Sequence, residues 1–362
     1  MRGRWDTCVV QTDVEFDRFL SSYIDQAKKV CFVIGGAGFD PRSTVLARRL
    51  KQLSVASVRG VFFREERELP QDRLRRLADK NQETLLSLIK SAEFPEIRVF
   101  AEGTTPIGGR EVVKYINTCQ IDDASDIFVD ISALSTAVFF PLVRFLLERR
   151  YADRKTNIHL FAAEKAVIDH NIRGVPCDSV SLVHGFRGAE SINPDSTNAL
   201  LWLPTLAPGN GAILEMVHRY LSKPATPIDV CPIVPFPGHD PRSPDNLIFE
   251  YRELLVNWNT DCRNLLYAAE SDALDAYRTI CSIHDSRSRI FAGLGGSTIV
   301  LTPIGNKMLA VGAMLAAIEN GLQVAIVESL GYDENCVFDP GESVSSPAFK
   351  HLWLSGEDCE ES

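Results

Sequence analysis

Two loops of this chain contain the same string, Gly-x-Asp-Pro-Arg-Ser, at 38–43 and at 238–243. Glycine lets a ligand approach the backbone closely, and a guanidinium group binds a phosphate group through two parallel hydrogen bonds. The two strings therefore predict an anion-binding role for their loops. The candidate ligand-binding residues of these loops are Gly36, Arg42, His239 and Arg242.

The same string also fits a purely structural role. The Asp side chain forms a turn with the backbone two residues on, Pro starts a helix, and Arg pairs back to the Asp. Both interpretations stay open. If the protein is an enzyme, Asp40 and Asp240 are candidate bases or metal ligands.

Hydroxyl groups mark two further loops. The loop at 130–136 follows an apolar run and precedes a helical pattern, so Ser132 and Ser135 are candidate ligand-binding residues and Asp130 a third candidate base. We interpret 293–298 with 303–307 as its counterpart in the second half, and as the strongest phosphate-binding segment of the chain. The candidates there are Gly295, Gly296, Ser297, Thr298 and Lys307. A shorter string at 209–211, Gly-Asn-Gly, fits either a tight turn or an anion cradle.

Apolar runs alternate along the chain with segments of helical periodicity, which predicts parallel sheets built from βαβ units. The predicted strands are 30–34, 58–63, 97–100, 127–131, 158–161, 199–206, 230–236, 265–268, 289–292 and 324–327. The predicted helices are 44–53, 71–89, 110–119, 136–149, 212–221, 246–256, 272–283 and 306–319.

The repeated string lies between a predicted strand and a predicted helix in both copies, which indicates an internal duplication. The predicted fold class is therefore α/β, with two Rossmann-like lobes at 1–165 and 195–335. A connecting segment at 166–194 and an acidic tail at 336–362 complete the chain, with an apolar patch at 349–354 that we expect to dock.

Several known signatures are missing from the sequence. Pro41 stands where the last glycine of G-x-G-x-x-G would be, and no Walker A string occurs. The nine cysteines contain no C-x-x-C pair, and no His, Cys and Asp residues have metal-ligand spacing. The sequence therefore predicts no metal, and it identifies no particular cofactor.

Charge and hydropathy exclude several partners. Lys plus Arg number 38 against 48 Asp plus Glu, a net charge of −10, which is opposite to the balance of a protein that coats duplex nucleic acid. The most apolar stretches are interrupted by polar or charged residues, so no membrane span is expected. Without a signal-peptide pattern at the N-terminus, the sequence predicts a cytoplasmic protein.

A Gly-Gly-Ser-Thr string followed by a lysine at a helix start (295–307) resembles the nucleotide-sensing loop of CARF domains. Two such lobes in one chain resemble the SAVED arrangement. The resemblance implies a Rossmann-like sensor of cyclic oligonucleotides in prokaryotic antiviral defence. This sequence departs from that pattern, because several residues separate the hydroxyls from Lys307 and the loop at 130–136 has no glycine.

Three functions fit these observations. The first is a sensor that binds a nucleotide or another phosphorylated small molecule in a cleft between duplicated lobes. Such a sensor would act through a protein partner, and the sequence leaves open whether it forms a homo-oligomer. The second is a transferase or hydrolase of a nucleotide or sugar phosphate. The third is a structural subunit of a larger complex.

Overall fold

A computed structural model describes residues 3–25, 29–53, 57–69, 71–102, 104–152, 156–165, 168, 172–188, 199–222, 228–333 and 347–356. The chain divides into two compact units. We call Cys8–Val175 with Ser329–Ser362 the eight-stranded unit, and Met1–Thr7 with Pro176–Glu328 the five-stranded unit.

The eight-stranded unit has a central sheet flanked by helices. Its strands are β1 (Val9–Thr12), β2 (Val30–Gly36), β3 (Ser57–Glu66), β4 (Ser91–Glu93), β5 (Glu96–Arg98), β6 (Asp126–Asp130), β7 (Asn157–Glu164) and β15 (Ala348–Ser355). Its helices are α1 (Asp13–Phe19), α2 (Val45–Lys51), α3 (Asp72–Leu88), α4 (Gly108–Ile116) and α5 (Thr136–Ala152), with a π-helix at Leu20–Asp25 and a 3₁₀-helix at Pro41–Thr44.

The strand order of this sheet is β1-β15-β7-β6-β2-β3-β4, with β5 also paired to β3. Strands β2 to β7 pair in parallel, whereas β15 is antiparallel to both β7 and β1. The central strands β2 and β6 are buried almost throughout, as expected for a parallel sheet covered on both faces. The strand order reverses between β2 and β6, which is a Rossmann-type arrangement.

The five-stranded unit also combines a parallel sheet with helices. Its strands are β8 (Gly174–Arg187), β9 (Ala199–Pro204), β10 (Ile228–Val230), β11 (Ile233–Pro235), β12 (Leu266–Ala268), β13 (Ser297–Thr302) and β14 (Gln323–Tyr332). Its helices are α6 (Gly211–Leu221), α7 (Ser243–Asn257), α8 (Ala273–Phe291) and α9 (Lys307–Asn320).

The main sheet has the order β10-β9-β13-β14-β8, and β11 pairs with β12 in a short two-stranded sheet. A parallel bridge between Thr205 and Ile233 places β11 beside the end of β9. The strand order therefore reverses between β9 and β13, as it does between β2 and β6 in the other unit. The predicted fold class, α/β with parallel sheets, is confirmed.

The duplication itself stays a prediction, because the two Asp-Pro-Arg loops occupy different places in the strand order. The first follows β2, which lies at the reversal, whereas the second follows β11, one strand farther out. The predicted strand at 289–292 is wrong, because these residues belong to the last turn of α8 and the segment just after it. A short apolar run does not by itself distinguish a strand from a helix.

Two segments outside the predicted lobes contribute strands to the sheets. The segment expected to be a connection, 166–194, contains β8, and the predicted docking patch at 349–354 lies within β15. The remainder of the predicted tail lies largely outside the described residues.

Helix α9 is buried on all sides, and this requires close packing. A Cβ atom on Gly312 would overlap the carbonyl oxygen of Ala273, so glycine is needed where α9 crosses α8. In the described part of the chain, no helix is both long and apolar enough to span a bilayer.

Candidate functional site

Ligands of open parallel sheets bind outside the carboxyl ends of the strands, at the place where the strand order reverses. Two loops frame that place in each unit. They follow β2 and β6 in the eight-stranded unit, and β9 and β13 in the five-stranded unit.

In the loop after β2, the charged side chains bind each other and the neighbouring backbone. Arg42 is 3% exposed, and its Nε and Nη2 donate to the carboxylate of Asp40 at 3.0 and 2.7 Å. Its Nη1 donates to the carbonyl of Ala163, at the end of β7, at 3.4 Å. Asp40 also accepts the backbone N–H of Arg42 at 2.9 Å, which forms the expected Asx turn. The structural interpretation of Asp-Pro-Arg therefore describes this copy.

The polar groups of the loop after β6 also form hydrogen bonds within the protein. Ser132 is buried, and its hydroxyl accepts the backbone N–H of Ala163 at 2.9 Å while its own N–H donates to Asp130 at 3.0 Å. The N–H of Ser135 donates to a carboxylate oxygen of Glu65 at 2.8 Å. These two N–H groups thus already bind carboxylates that are largely buried and held in place, Asp130 and Glu65.

Gly36 has a packing role at the same place. A Cβ atom there would lie 2.8 Å from the carbonyl oxygen of Ala133, so glycine lets the end of β2 approach the loop after β6. Glycine at position 36 is therefore explained by backbone packing, without a ligand.

The second Asp-Pro-Arg loop differs from the first. The Asx turn is kept, with the N–H of Arg242 at 2.9 Å from Asp240, but both side chains are exposed. Within the described ranges the guanidinium of Arg242 makes no ion pair. His239 is also exposed, its N–H donates to Glu270 at 3.0 Å, and its Nδ1 lies 3.5 Å from the same carboxylate.

The structure separates the residues of the predicted phosphate-binding segment. Gly295 and Gly296 form the turn between α8 and β13, and Ser297 and Thr298 begin β13. Lys307 begins α9, beyond the opposite end of the same strand. The hydroxyl of Ser297 donates to the carbonyl of Ala199 at 2.9 Å and so supports the sheet. Because the predicted strand at 289–292 is a helix, the Gly-Gly-Ser-Thr string lies at the amino edge of the sheet rather than at the carboxyl edge.

The loop after β9 has a different character. In 208–211, Gly209 has φ of +76° and open space around its Cβ direction. The N-cap residue of α6, Asn210, does not cap the helix with its side chain, because its amide donates to the carbonyls of Ala207 and Pro208. The first backbone N–H groups of α6 thus donate no hydrogen bond to the N-cap side chain, and the neighbouring residues Gly209 and Ala212 are exposed. This is the Gly-Asn-Gly string whose composition alone fitted a turn equally well.

Two contacts hold this loop in place. The Tyr251 hydroxyl donates to the carbonyl of Ala207 at 2.7 Å, and burial raises the pKa of that hydroxyl. The N–H of Gly209 donates to the carboxylate of Glu250 at 2.8 Å, and that side chain belongs to an exposed residue of α7.

The loop after β13 packs against the loop after β9. A Cβ atom on Gly305, whose φ is +89°, would lie 2.6 Å from the Cβ of Ala207. Asn306 caps α9, since its Oδ1 accepts the N–H of Met308 at 2.6 Å. Of the two helix starts at this reversal, α6 is therefore the uncapped one.

Among the described residues, no group of three His, Cys, Asp or Glu side chains is arranged to hold a metal ion. The described candidate bases Asp40, Asp130 and Asp240 each accept a hydrogen bond from a backbone N–H two residues on.

No protein-family model matches this chain, and no curated protein does. Among solved structures it is similar to a functionally unknown protein from Pseudomonas aeruginosa PAO1, with 11% identity, a TM-score of 0.23, and coverage of 84% of this chain and 95% of that chain. It is also similar to a candidate universal stress protein from Pseudomonas aeruginosa UCBPP-PA14, with 12% identity, a TM-score of 0.24, and coverage of 83% and 94%. A third is a GsuK channel bound to NAD, with 10% identity, a TM-score of 0.21, and coverage of 82% of this chain and 61% of that chain.

Proposed function

We propose that the five-stranded unit binds the phosphate group of a nucleotide, or of another phosphorylated small molecule, at the loop 208–211. The observation that carries this proposal is the uncapped start of α6 directly after β9, where the strand order reverses. Backbone N–H groups and the helix dipole both favour an anion at such a position.

The bond between Gly209 and Glu250 supports the proposal. The N–H of Gly209 donates to a carboxylate oxygen of Glu250 at 2.8 Å, so an anionic oxygen already lies beside this loop. Glu250 is exposed, so its side chain is free to move aside for a phosphate oxygen without unpacking the core.

Ligand binding without turnover is the simplest role for such a site, and it is the sensor interpretation. The Gly-Gly-Ser-Thr string that carries the resemblance to CARF and SAVED proteins lies at the amino edge of the sheet, away from 208–211. On that sequence resemblance alone we further propose a cyclic oligonucleotide as the ligand, and a protein partner that receives the signal. Self-association, a cytoplasmic location and a role in antiviral defence belong to the same proposal.

Thermal unfolding against a panel of inorganic phosphate, ATP, NAD and cyclic oligonucleotides tests the binding. A ligand at about 100 times its Kd stabilises the folded protein by about 2.7 kcal/mol. Recovering the ligand and analysing it by mass spectrometry separates a sensor from a transferase or hydrolase. Absence of any stabilisation across the panel overturns the proposal.

The variant Gly211→Asp locates the site. A Cβ at this position meets side-chain atoms of Leu254 at an ordinary 3.4 Å, and a carboxylate in the first turn is favourable for the helix. We expect the fold to persist and ligand affinity to fall at least about 10-fold, because the new charge takes the place of the anion. The matched control is Gly293→Asp, an exposed glycine with no neighbour within 4 Å, which should keep full affinity. Equal affinity in both variants places the ligand elsewhere.

A further inference from the structure

A chain of hydrogen-bonded side chains crosses four neighbouring strands of the eight-stranded unit. Asp126 of β6 lies 3.1 Å from Nε2 of His159 on β7. Nδ1 of His159 lies 3.0 Å from Nε2 of His351 on β15, and Nδ1 of His351 lies 3.0 Å from the side-chain amide of Gln11 on β1. The carboxylate and both imidazoles are 0% exposed.

The carboxylate of Asp126 decides which nitrogen atoms of this hydrogen-bonded row donate and which accept. The second oxygen of Asp126 accepts the hydroxyl of Ser125 at 2.6 Å, so the carboxylate is an acceptor at both oxygens. His159 must then carry its proton on Nε2 and present a lone pair on Nδ1. His351 in turn donates from Nε2 and presents a lone pair on Nδ1. The amide of Gln11 completes the chain by turning its N–H toward that lone pair.

A first added proton breaks no hydrogen bond, but it places a positive charge in a fully buried site. His351 takes it on Nδ1 and donates to the amide oxygen of Gln11, which the amide presents after a half-turn. The imidazolium is balanced by the negative charge of Asp126, two hydrogen bonds away. A second proton, on Nδ1 of His159, faces the N–H of His351. Two donors then meet at one position, and the hydrogen bond between β7 and β15 is lost.

Among the residues that the structure describes, few other ionisable groups lie near this row of side chains. Lys29 contributes a positive charge from the start of the β2 region, with its Nζ 3.1 Å from the hydroxyl of Tyr23 in the π-helix. Cys31 of β2 faces Asp126, and burial raises its thiol pKa to about 12. The remaining neighbours are apolar rings of α1 and the strands, namely Phe16, Phe19, Phe128, Phe161 and Trp353.

We propose that Asp126, His159, His351 and Gln11 form a pH-sensitive clasp that holds β15 in the sheet and releases it on acidification. Charged imidazoles with an unmade hydrogen bond are costly in a fully buried site. Strand β15 is the element that leaves, because only the four-residue strand β1 lies beyond it at this edge.

The direction of the pH effect follows from the environment of the histidines. Burial lowers the pKa of both His159 and His351, and for His159 the hydrogen bond to Asp126 opposes this only in part. Unfolded histidine has a pKa of about 6.5. The clasp therefore contributes its full stability above about pH 6.5 and loses it as the pH falls below that value. Each proton taken up on release changes the equilibrium about 10-fold per pH unit.

Hydrogen exchange between pH 7.5 and 5.0, corrected for the intrinsic exchange rate, tests the clasp. Protection of the β15 amides should fall by up to about 100-fold per pH unit in the wild-type protein, because two protons enter. In His351→Gln, which keeps a donor toward His159 but cannot titrate, the slope should drop to about 10-fold. The control is His218→Gln, which changes a histidine of α6 that takes no part in the hydrogen-bonded row. This variant should leave the wild-type slope unchanged.

Two results overturn the proposal. One is a slope in His351→Gln equal to that of the wild type. The other is an equal loss of protection in the central strand β2, which means that the whole unit unfolds. Nitrogen-15 NMR of the wild-type histidines gives an independent readout that needs no variant. Both should be Nε2–H tautomers at pH 7.5, and an Nδ1–H tautomer at His159 contradicts the donor assignment.

Discussion

Removing the guanidinium group of Arg42 should destabilise the eight-stranded unit far more than the same change at Arg242. The side chains of Arg42 and Asp40 are 4% and 9% exposed and are joined by hydrogen bonds of 2.7–3.1 Å. Arg42→Ala leaves the carboxylate of Asp40 buried without its cation and removes the tie to the carbonyl of Ala163. Breaking one side of a buried pair costs about 3–5 kcal/mol.

The second copy of the string supplies the matched control. Arg242 is exposed, and within the described residues its guanidinium group makes no ion pair, so Arg242→Ala should change stability by less than about 0.5 kcal/mol. For a unit of this size each kcal/mol shifts Tm by about 2–4 °C. Arg42→Ala should therefore lower Tm by about 6–20 °C, and Arg242→Ala by no more than about 2 °C.

Hydrogen exchange resolved by peptide assigns the loss to the correct unit, with β2 reporting on one and β9 on the other. Combining Asp40→Asn with Arg42→Met should recover part of the stability, because no buried charge is then left alone. Equal costs for the two alanine variants, or no recovery in the double variant, would refute the reasoning.

Three further predictions concern the core. Gly312→Ala should cost about 1–3 kcal/mol in thermal unfolding, because the new methyl group overlaps a carbonyl of α8, whereas Gly293→Ala, in open space, should be neutral. Thr302→Val should cost about 1–3 kcal/mol in urea unfolding, because it leaves the buried indole N–H of Trp202, now 2.9 Å from the threonine hydroxyl, without a partner; an unchanged midpoint contradicts this. Cys31 should resist iodoacetamide in the native protein at pH 8, because burial raises its thiol pKa to about 12; peptide mass spectrometry checks this, and rapid labelling contradicts it.

Much of the fold could be predicted from the sequence because strands and helices leave local periodicity. The buried run of β2 and the amphipathic pattern of α3 are visible without any neighbour. Strand β8 left a weaker signal, because its partly exposed residues lack a continuous apolar run. The short apolar run at 289–292 gave a false strand signal, because the helix that begins after Asp272 extends to Phe291.

The sites were harder to predict because the same residue types can bind a ligand or make structural contacts within the protein. Arg42 and Arg242 both follow an Asp-Pro pair in matching strings, yet one is buried against Asp40 and the other is exposed. Composition also does not reveal at which edge of a sheet a glycine-rich string lies. The structure puts Ser297 and Lys307 at opposite ends of β13.

The sequence by itself determined the α/β class, the alternation of elements and the local turn chemistry of the Asp-Pro-Arg loops, because these depend on residues near one another in the chain. Only the tertiary structure decided the strand order, the join of β15 to the first sheet and the assembly of the Asp126–His159–His351–Gln11 chain. The hydrogen bond between Gln11 and His351, for example, joins residues 340 positions apart. Long-range pairing of this kind is selected by burial and hydrogen-bond satisfaction in three dimensions, which local periodicity does not encode.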